Sequence, residues 1–388
     1  MFGRFLVGFL SVCAVGVVSA DTLYMTASDE NGSSSFVTWN VSGGGTQAPS
    51  SANDYVCADG KTIRNKGSGT PQKFLGKTLR FGDLATGTAG WLAYVRSGDT
   101  EVNFQNNGAI LEKGGFLTYT DKGVKYKLSG TFTVNSPSSD PYVFYVLRDD
   151  NDKHRGMTNE VTGVFKGAAG TGLAILNKYS NPNGYVYLNP TDKCAFQGQF
   201  ILGDGKQQLR CELQGAKTLS CGLWAKSYAE ILPQYGSTKW TLASLQLDGN
   251  STVYTKLAAS DTSTITLTDS LTTAYPVNLT FPSARSIDKG TGRIWDVLKL
   301  PKAKMEMIHP EHFVLATQET VGLFPDVLPS VELRATEKDD FAVLELVQRQ
   351  VVENKVADAR GYSYSDQNFE FPTSMTNKFA WGNSNLPM

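Results

Sequence analysis

The chain has 388 residues, with 36 Lys and Arg against 37 Asp and Glu and a formal net charge of −1. This length can hold one long repeat domain or two to three compact domains. The charge balance lacks the basic excess that proteins use to bind phosphate backbones, so no nucleic-acid partner is expected. Short apolar runs separated by frequent turns, with 38 glycines, favour an all-β fold.

The first twenty residues have the pattern of a secretory signal peptide. Arg4 supplies the basic start, residues 5–17 are apolar, and small residues end the segment at Ala20. Cleavage there predicts a mature chain that begins at Asp21 and is secreted or held at the cell surface. Later apolar runs are too short for a membrane-spanning helix, so we expect no membrane span after cleavage.

The mature chain is expected to begin with an entry or capping segment, residues 21–53. It has an apolar strand around Leu23 and then a Ser/Gly-rich connection. Strands and turns alternate over residues 54–290, which we predict to form a β-helix. The clearest later strands are residues 91–95, 108–111, 124–134, 142–147, 172–176, 185–188, 240–247 and 264–267. One short helix is predicted at residues 228–232, ended by Pro233.

A short internal repeat gives the strongest indication of fold. Two nine-residue copies, which begin at Cys194 and Cys211, share Cys, Gln, Gly and Leu at the same places, and Phe196 is matched by Leu213. The shared glycines are Gly198 and Gly215. Their offset is 211 − 194 = 17 residues. A fixed short period is typical of a solenoid in which like residues stack on like. The prediction is a parallel β-helix, and the alternative is a β-sandwich with antiparallel strands.

Four cysteines remain in the mature chain, and an exported protein can oxidise them. If 17 residues make one coil, Cys194 and Cys211 lie on neighbouring strands about 4.8 Å apart. That spacing is within reach of a disulfide. A ladder of buried reduced thiols is the equal alternative.

The chain changes character after about residue 290. Residues 291–357 are predicted as a closing β segment, with a hairpin in which residues 331–335 and 341–347 flank a turn at 336–340. Residues 358–388 repeat features of the mature N-terminus, as Trp381 matches Trp39. We therefore expect the start of a truncated second module or a loose tail. The alternative is a tail whose aromatic residues cap the solenoid.

A family resemblance rests on three features near the start of the coils. They are Trp39 and Pro49 ahead of the strand at 54–56, the run at residues 60–64, and the strand with Phe74, Gly76 and Leu79. Together they resemble secreted, repeat-built β-helix proteins of the autotransporter-passenger type, a long-module family of Lentisphaerae-like bacteria. The resemblance implies export and surface display, and it brings no catalytic residues with it.

The most charged run supplies the candidates for catalysis, which are Asp149, Asp150, Asp152 and His154. Asp150 and Asp152 also have the spacing that opens a calcium loop. Arg155 and Val161 stand where that loop needs a glycine and a final carboxylate, however. A solvated loop between two strands is the structural alternative.

His309, Glu311 and His312 are residue types that bind metals, but Pro310 prevents the regular helix that would place both imidazoles on one face. An exposed turn is therefore predicted, with no metal and no cofactor.

The function expected from the sequence is that of a non-enzymatic exported β-helix with an adhesive or glycan-contacting role. Its partner would be an extracellular glycan or a surface protein, because stacked coils offer long faces for broad contact. The alternative is a polysaccharide lyase or glycoside hydrolase on the same scaffold. Glycoside hydrolysis needs two carboxylates about 5–10 Å apart, and the sequence does not identify such a pair.

Overall fold

Most successive strands of the chain alternate between two sheets, whose neighbours are parallel except in the C-terminal segment, so the polypeptide winds as a β-solenoid. This arrangement is seen in a computed structural model. It describes residues 21–26, 39–40, 46–65, 72–96, 100–120, 125–146, 158–177, 184–192, 194–233, 239–255, 264–280, 294–316, 331–348, 354–357 and 363–366. The parallel ladders confirm the predicted β-helix and exclude the β-sandwich alternative.

The first sheet has fourteen strands among the described residues, and its main path is β1-β4-β7-β9-β11-β13-β15-β18-β21-β23-β25-β27, with β6 and β16 beside it. Its strands are β1 (Thr22–Tyr24), β4 (Asp54–Cys57), β6 (Gln72–Phe74), β7 (Thr78–Phe81), β9 (Thr100–Leu111), β11 (Lys125–Val134), β13 (Thr158–Gly167), β15 (Gly184–Pro190), β16 (Ala195–Phe196), β18 (Leu209–Leu213), β21 (Ala229–Pro233), β23 (Thr252–Tyr254), β25 (Val277–Thr280) and β27 (Phe313–Ala316).

The second sheet has thirteen strands in the described part of the chain, in the order β28-β29-β26-β24-β22-β20-β17-β14-β12-β10-β8-β5, with β19 beside β22. Its strands are β5 (Lys61–Asn65), β8 (Gly90–Arg96), β10 (Gly114–Thr120), β12 (Tyr142–Val146), β14 (Gly172–Asn177), β17 (Gln199–Leu202), β19 (Ala216–Thr218), β20 (Gly222–Ala225), β22 (Lys239–Leu247), β24 (Thr264–Thr273), β26 (Ile294–Pro301), β28 (Val331–Lys338) and β29 (Phe341–Gln348).

The core lies between the two sheets and is filled mainly by alternate side chains of the strands, in keeping with the twofold period of a strand. Aromatic residues stack where they meet in register. Phe132 pairs with Phe165, with ring centroids 5.0 Å apart and planes 17° apart. In the second sheet Phe116 pairs with Phe144 at 4.8 Å and 12°. Stacked aromatic rings therefore connect neighbouring coils within each of the two sheets.

Two glycines allow neighbouring coils to bend close together in the first sheet. Gly130 and Gly163 have φ of +120° and +125°, in the region that favours glycine. A Cβ at Gly163 would stand 2.3 Å from the carbonyl oxygen of Gly130, and one at Gly130 would stand 2.3 Å from that of Phe104. A side chain at either position would collide with the coil before it.

The 17-residue offset is not the length of a coil, so the predicted local register was wrong. Phe196 is in register with Gly167, whereas Leu213 is in register with Leu188. Both side chains are buried in the core, but they do not stack on each other. Cys211 likewise lies beside Val186 rather than Cys194. The two similar peptides occupy different places in their coils, because one surrounds the two-residue strand β16 and the other lies in β18.

The predicted helix at residues 228–232 was also wrong, because Ala229–Pro233 form strand β21. Ala229 and Ile231 point into the core, between Leu209 and Cys211 of one coil and Val253 of the next. This parallel pairing on both sides overrides the local helical preference. Pro233 ends the described strand.

The C-terminal antiparallel segment is present as predicted. β26 pairs antiparallel with β29, and β28 and β29 form a hairpin. Its strands extend further than expected, leaving a tight turn at Asp339 and Asp340, where Asp339 has φ of +52°. The 3₁₀ helices Lys302–Met307 and Pro310–His312 join β26 to β27.

Both ends of the chain are described only in part. In the entry segment, β1 pairs parallel with β4, and a small hairpin of β2 (Trp39–Asn40) and β3 (Thr46–Gln47) buries Trp39 against Tyr55. β30 (Asn354–Ala357) and β31 (Ser363–Asp366) pair antiparallel. The signal-like residues 1–20 and most of the predicted tail lie outside the described residues. Among those described, no helix has the length and apolar character needed to cross a membrane.

Candidate functional site

A group of tyrosine and charged side chains lies on β15, β18, β21 and β23 of the first sheet. We call it the tyrosine–glutamate face, and its residues are Tyr185, Tyr187, Arg210, Glu212, Glu230 and Tyr254. β15 and β18 alternate buried and part-exposed positions, so their apolar residues enter the core while Tyr185, Tyr187, Arg210 and Glu212 lie on the other side. Glu230 and Tyr254, on the next two strands, are buried beside them. Parallel register then aligns Tyr185 with Arg210, and Arg210 with Glu230.

Glu230 is the most enclosed charge of this face, with 9% of its side chain exposed. The Arg210 Nε donates to its Oε2 at 2.8 Å, and the Tyr254 hydroxyl donates to the same atom at 3.0 Å. The Gln208 amide donates to its other oxygen. A carboxylate this buried needs such donors to offset lost hydration. Three neighbours thus hold Glu230 in one orientation.

Glu212 is held in a similar way but nearer the surface. The Tyr185 hydroxyl donates to its Oε2, and the Gln214 Nε2 donates to its Oε1 at 2.7 Å. The rings of Tyr185 and Tyr187 meet edge-on, with centroids 5.2 Å apart, and both are half-buried. The carboxylate and the two rings form one continuous patch.

Burial and the neighbouring carboxylates both favour the protonated form of Tyr185 and Tyr254. Burial, followed by the hydrogen bond to Glu212, raises the pKa of Tyr185 well above its usual value. Burial and the charge of Glu230 raise the pKa of Tyr254 in the same direction. Both hydroxyls therefore remain hydrogen-bond donors at physiological pH.

The face offers two kinds of contact to a ligand. The half-buried tyrosine rings present apolar surface with a polar tip, a combination that suits ligands with both apolar and hydroxylated faces. The carboxylates and the Arg210 guanidinium add charge-assisted hydrogen bonds in fixed positions. This is chemistry for holding a polyhydroxylated molecule along the coils.

The catalytic candidates Asp149, Asp150, Asp152 and His154 lie outside the described residues. Their proposed roles, including the calcium ligands Asp150 and Asp152, stay predictions.

The four cysteines that the structure describes are free thiols. Cys194 accepts a hydrogen bond from the Phe165 amide at 3.2 Å. Burial raises the pKa of Cys57 and Cys221 to about 12 and that of Cys211 still further. Protonated buried thiols react slowly, and they pack here as small apolar residues.

The turn at His309, Glu311 and His312 does bring its three polar side chains together. One ligand atom from each lies within 4.8 Å of the others. Pro310 begins a short 3₁₀ helix, and residues three apart eclipse in that geometry, so both imidazoles share a face without a regular α-helix.

The tyrosine–glutamate face could not be seen in the sequence without the correct coil length. Tyr185, Arg210 and Glu230 are separated by 210 − 185 = 25 and 230 − 210 = 20 residues. Each is one polar position in an ordinary alternating strand. Their alignment depends on two coils of unequal length, and no local pattern in the sequence gives those lengths.

Comparison with known proteins adds no relative. No protein-family model matches the chain, and no curated protein matches it in sequence.

Proposed function

We propose that this protein is an exported, non-enzymatic β-solenoid whose tyrosine–glutamate face binds an extracellular glycan. In this proposal residues 1–20 direct export. The chain acts at the cell surface or outside the cell, in the manner of secreted β-helix proteins of the autotransporter-passenger type from Lentisphaerae-like bacteria. The solenoid scaffold supports the proposal, because stacked strands give a long and regular outer face.

One observation carries the proposal. Half-exposed tyrosine rings and two carboxylates in fixed orientation lie side by side on consecutive strands of one sheet. Neighbouring strands are about 4.8 Å apart, so a chain of sugar rings lying across the coils would meet successive side chains. Sugar hydroxyls both donate and accept hydrogen bonds, which matches the mixture of Arg210, Glu212 and tyrosine hydroxyls.

The enzymatic alternative would need different work from the same two carboxylates. Hydrolysis of a glycosidic bond needs one carboxyl group that gives a proton and a second that attacks or activates water. Glu230 already accepts hydrogen bonds from Arg210 and Tyr254, and Glu212 accepts from Tyr185 and Gln214. Donors engage the oxygens of both carboxylates, an arrangement that orients them as fixed acceptors.

A screen of the purified protein against a polysaccharide and oligosaccharide panel tests the proposal. Binding is measured together with new reducing ends and with the ultraviolet absorbance of unsaturated lyase products. We expect saturable binding to one glycan class with neither product. New reducing ends or unsaturated products would establish the enzyme instead, and a panel without any binding would remove the glycan proposal.

A further inference from the structure

A second polar cluster lies on the last coil and shares no residue with the tyrosine–glutamate face. The 3₁₀ helix Pro310–His312 connects the preceding 3₁₀ helix to β27, the outermost strand of the first sheet. Ile308 and Phe313, on either side of the turn, are 5% and 7% exposed. These two buried side chains fix the turn to the core, while its polar side chains face outward.

The two imidazoles of this turn are held close and nearly parallel. The rings of His309 and His312 have centroids 4.8 Å apart and planes 27° apart. The His312 amide donates to the His309 carbonyl at 3.0 Å, which closes the turn beneath them. Two solvated histidines would not account for the carboxylate that contacts one ring and the hydroxyl that contacts the other.

Each imidazole has one nitrogen engaged by a neighbouring oxygen. The His309 Nδ1 lies 3.1 Å from Glu311 Oε1, and the His312 Nδ1 lies 2.8 Å from Thr273 Oγ1. Metal-binding histidines characteristically use one nitrogen for the metal and the other for such an orienting partner. The Nε2 atoms of both rings are the nitrogens that this arrangement makes available.

We propose that His309, His312 and Glu311 form a binding site for a divalent transition-metal ion of the zinc class. Two imidazoles and a carboxylate are a ligand set that zinc accepts, with remaining positions filled by water. Ligand atoms around tetrahedral zinc stand about 3.4 Å apart, given bond lengths of about 2.0–2.1 Å. The His309 and Glu311 side chains are 45% and 68% exposed, so Glu311 can exchange its contact with His309 Nδ1 for the metal as the ligand atoms close from 4.8 Å to that spacing. Thr273 remains the orienting partner of His312.

Zinc titration of the purified protein in competition with a chromophoric chelator tests this site. We expect one zinc ion per chain. The His309→Ala and His312→Ala variants each lose a metal ligand and should bind zinc at least about tenfold more weakly, since even outer-shell partners are worth about 10–100-fold. The chain has three histidines, so His154→Ala is a matched control that should bind as the unaltered protein does. Melting curves without metal verify that each variant is folded, since the altered side chains lie on an outward turn.

Two further measurements separate a built site from adventitious binding. Cobalt substitution should give visible absorption bands of nitrogen coordination that disappear in His312→Ala. Thr273→Val should weaken zinc binding, and Thr273→Ser, which retains the hydroxyl, should restore it. Equal zinc affinity in His309→Ala, His312→Ala and the unaltered protein would overturn the proposal, and so would loss of binding in His154→Ala alone.

Discussion

The first sheet places aromatic residues on opposite sides in two successive regions. In the upstream strands β7, β9, β11 and β13, four phenylalanines point into the core, namely Phe81, Phe104, Phe132 and Phe165. In the downstream strands β15, β18, β21 and β23, the inward positions include Val186, Leu188, Leu213 and Ile231, while Tyr185 and Tyr187 are part-exposed on the opposite side of β15. The backbone ladder is parallel in both regions.

This difference shows that the inward-facing and outward-facing residues of the strands can vary independently. A strand sends alternate side chains to opposite faces, so a shift by one position exchanges core for surface. The upstream region uses its aromatic residues for packing. The downstream region packs with aliphatic residues and cysteine, and it places aromatic side chains where a ligand could reach them. The proposed binding function therefore belongs to the downstream coils alone.

The largest expected effect comes from removing an aromatic ring from the upstream core. Phe132 is fully buried, with ring centroids of Phe165 and Phe104 at 5.0 and 5.6 Å. Phe132→Ala should destabilise the protein by about 3–5 kcal/mol, through lost burial and the cavity that remains. Denaturant unfolding monitored by circular dichroism measures this. A double-mutant cycle of Phe132→Leu and Phe165→Leu should show coupling of about 0.5–1.5 kcal/mol; strictly additive losses would contradict the stacking contribution.

A smaller effect distinguishes two glycines that both have positive φ. Gly163 adjoins the Gly130 carbonyl, whereas the nearest atom to a Cβ at Gly215 is the flexible end of Lys217 at 4.0 Å. Gly215→Ala should cost about 1–2 kcal/mol for its backbone conformation alone. Gly163→Ala should cost about 3 kcal/mol, because the methyl group also collides with the neighbouring coil. Equal melting temperatures for the two variants would show that the close contact between the coils adds no destabilisation to Gly163→Ala.

The closing β segment contains a cluster of charged side chains around a buried carboxylate. The Glu345 side chain is fully buried, and the Arg334 Nε donates to its Oε2 at 2.9 Å while Lys338 pairs with its other oxygen. Lys338 also contacts Asp296 Oδ1 at 2.7 Å. Glu345→Gln should destabilise the protein by about 1–3 kcal/mol, because the two cations lose their buried partner. Glu337→Gln, on an exposed carboxylate of β28, is the matched control and should change stability little.

This charged cluster also predicts a dependence of stability on pH. Burial raises the pKa of Glu345, but hydrogen bonds from Lys338 and Arg334 outweigh it and hold the pKa below the usual value of 4.5. A lowered pKa in the folded state stabilises the protein above the unfolded pKa, and this contribution disappears as the pH falls through the folded pKa. Melting temperatures should therefore drop below about pH 4.5, and less steeply in Glu345→Gln. An identical slope in both proteins would refute this contribution.

The architecture could be predicted from sequence because it depends on patterns that short windows contain. Alternating apolar strands indicated the all-β class, and the runs around the turn at Asp339 identified the closing hairpin. Coil length could not be predicted, since corners and loops of unequal length separate the strands. The similar peptides at Cys194 and Cys211 suggested a 17-residue period, but β15, β18 and β21 begin at Gly184, Leu209 and Ala229.

The candidate sites were harder to predict, for a related reason. Arg210 and Glu230 become neighbours only through parallel register, and no local pattern records their pairing. His309 and His312 are metal-ligand types that the sequence shows directly, but Pro310 excludes only an α-helix at this turn. A 3₁₀ turn accepts proline at its first position and still aligns residues three apart.

The most direct test of the glycan proposal changes one tyrosine in each region of the first sheet. Tyr187→Ala removes a half-buried ring from the tyrosine–glutamate face, and Tyr24→Ala removes a ring that is 56% exposed on β1 at the far end of the sheet. Both variants should keep the fold, because neither side chain lies in the core. Affinity for the glycan identified by the panel is then measured by titration calorimetry. We expect about a tenfold or greater loss for Tyr187→Ala, since a buried aromatic contact is worth about 1–3 kcal/mol, and unchanged affinity for Tyr24→Ala. Unaltered binding by Tyr187→Ala, or an equal loss in both variants, would contradict the assignment of glycan binding to the downstream coils.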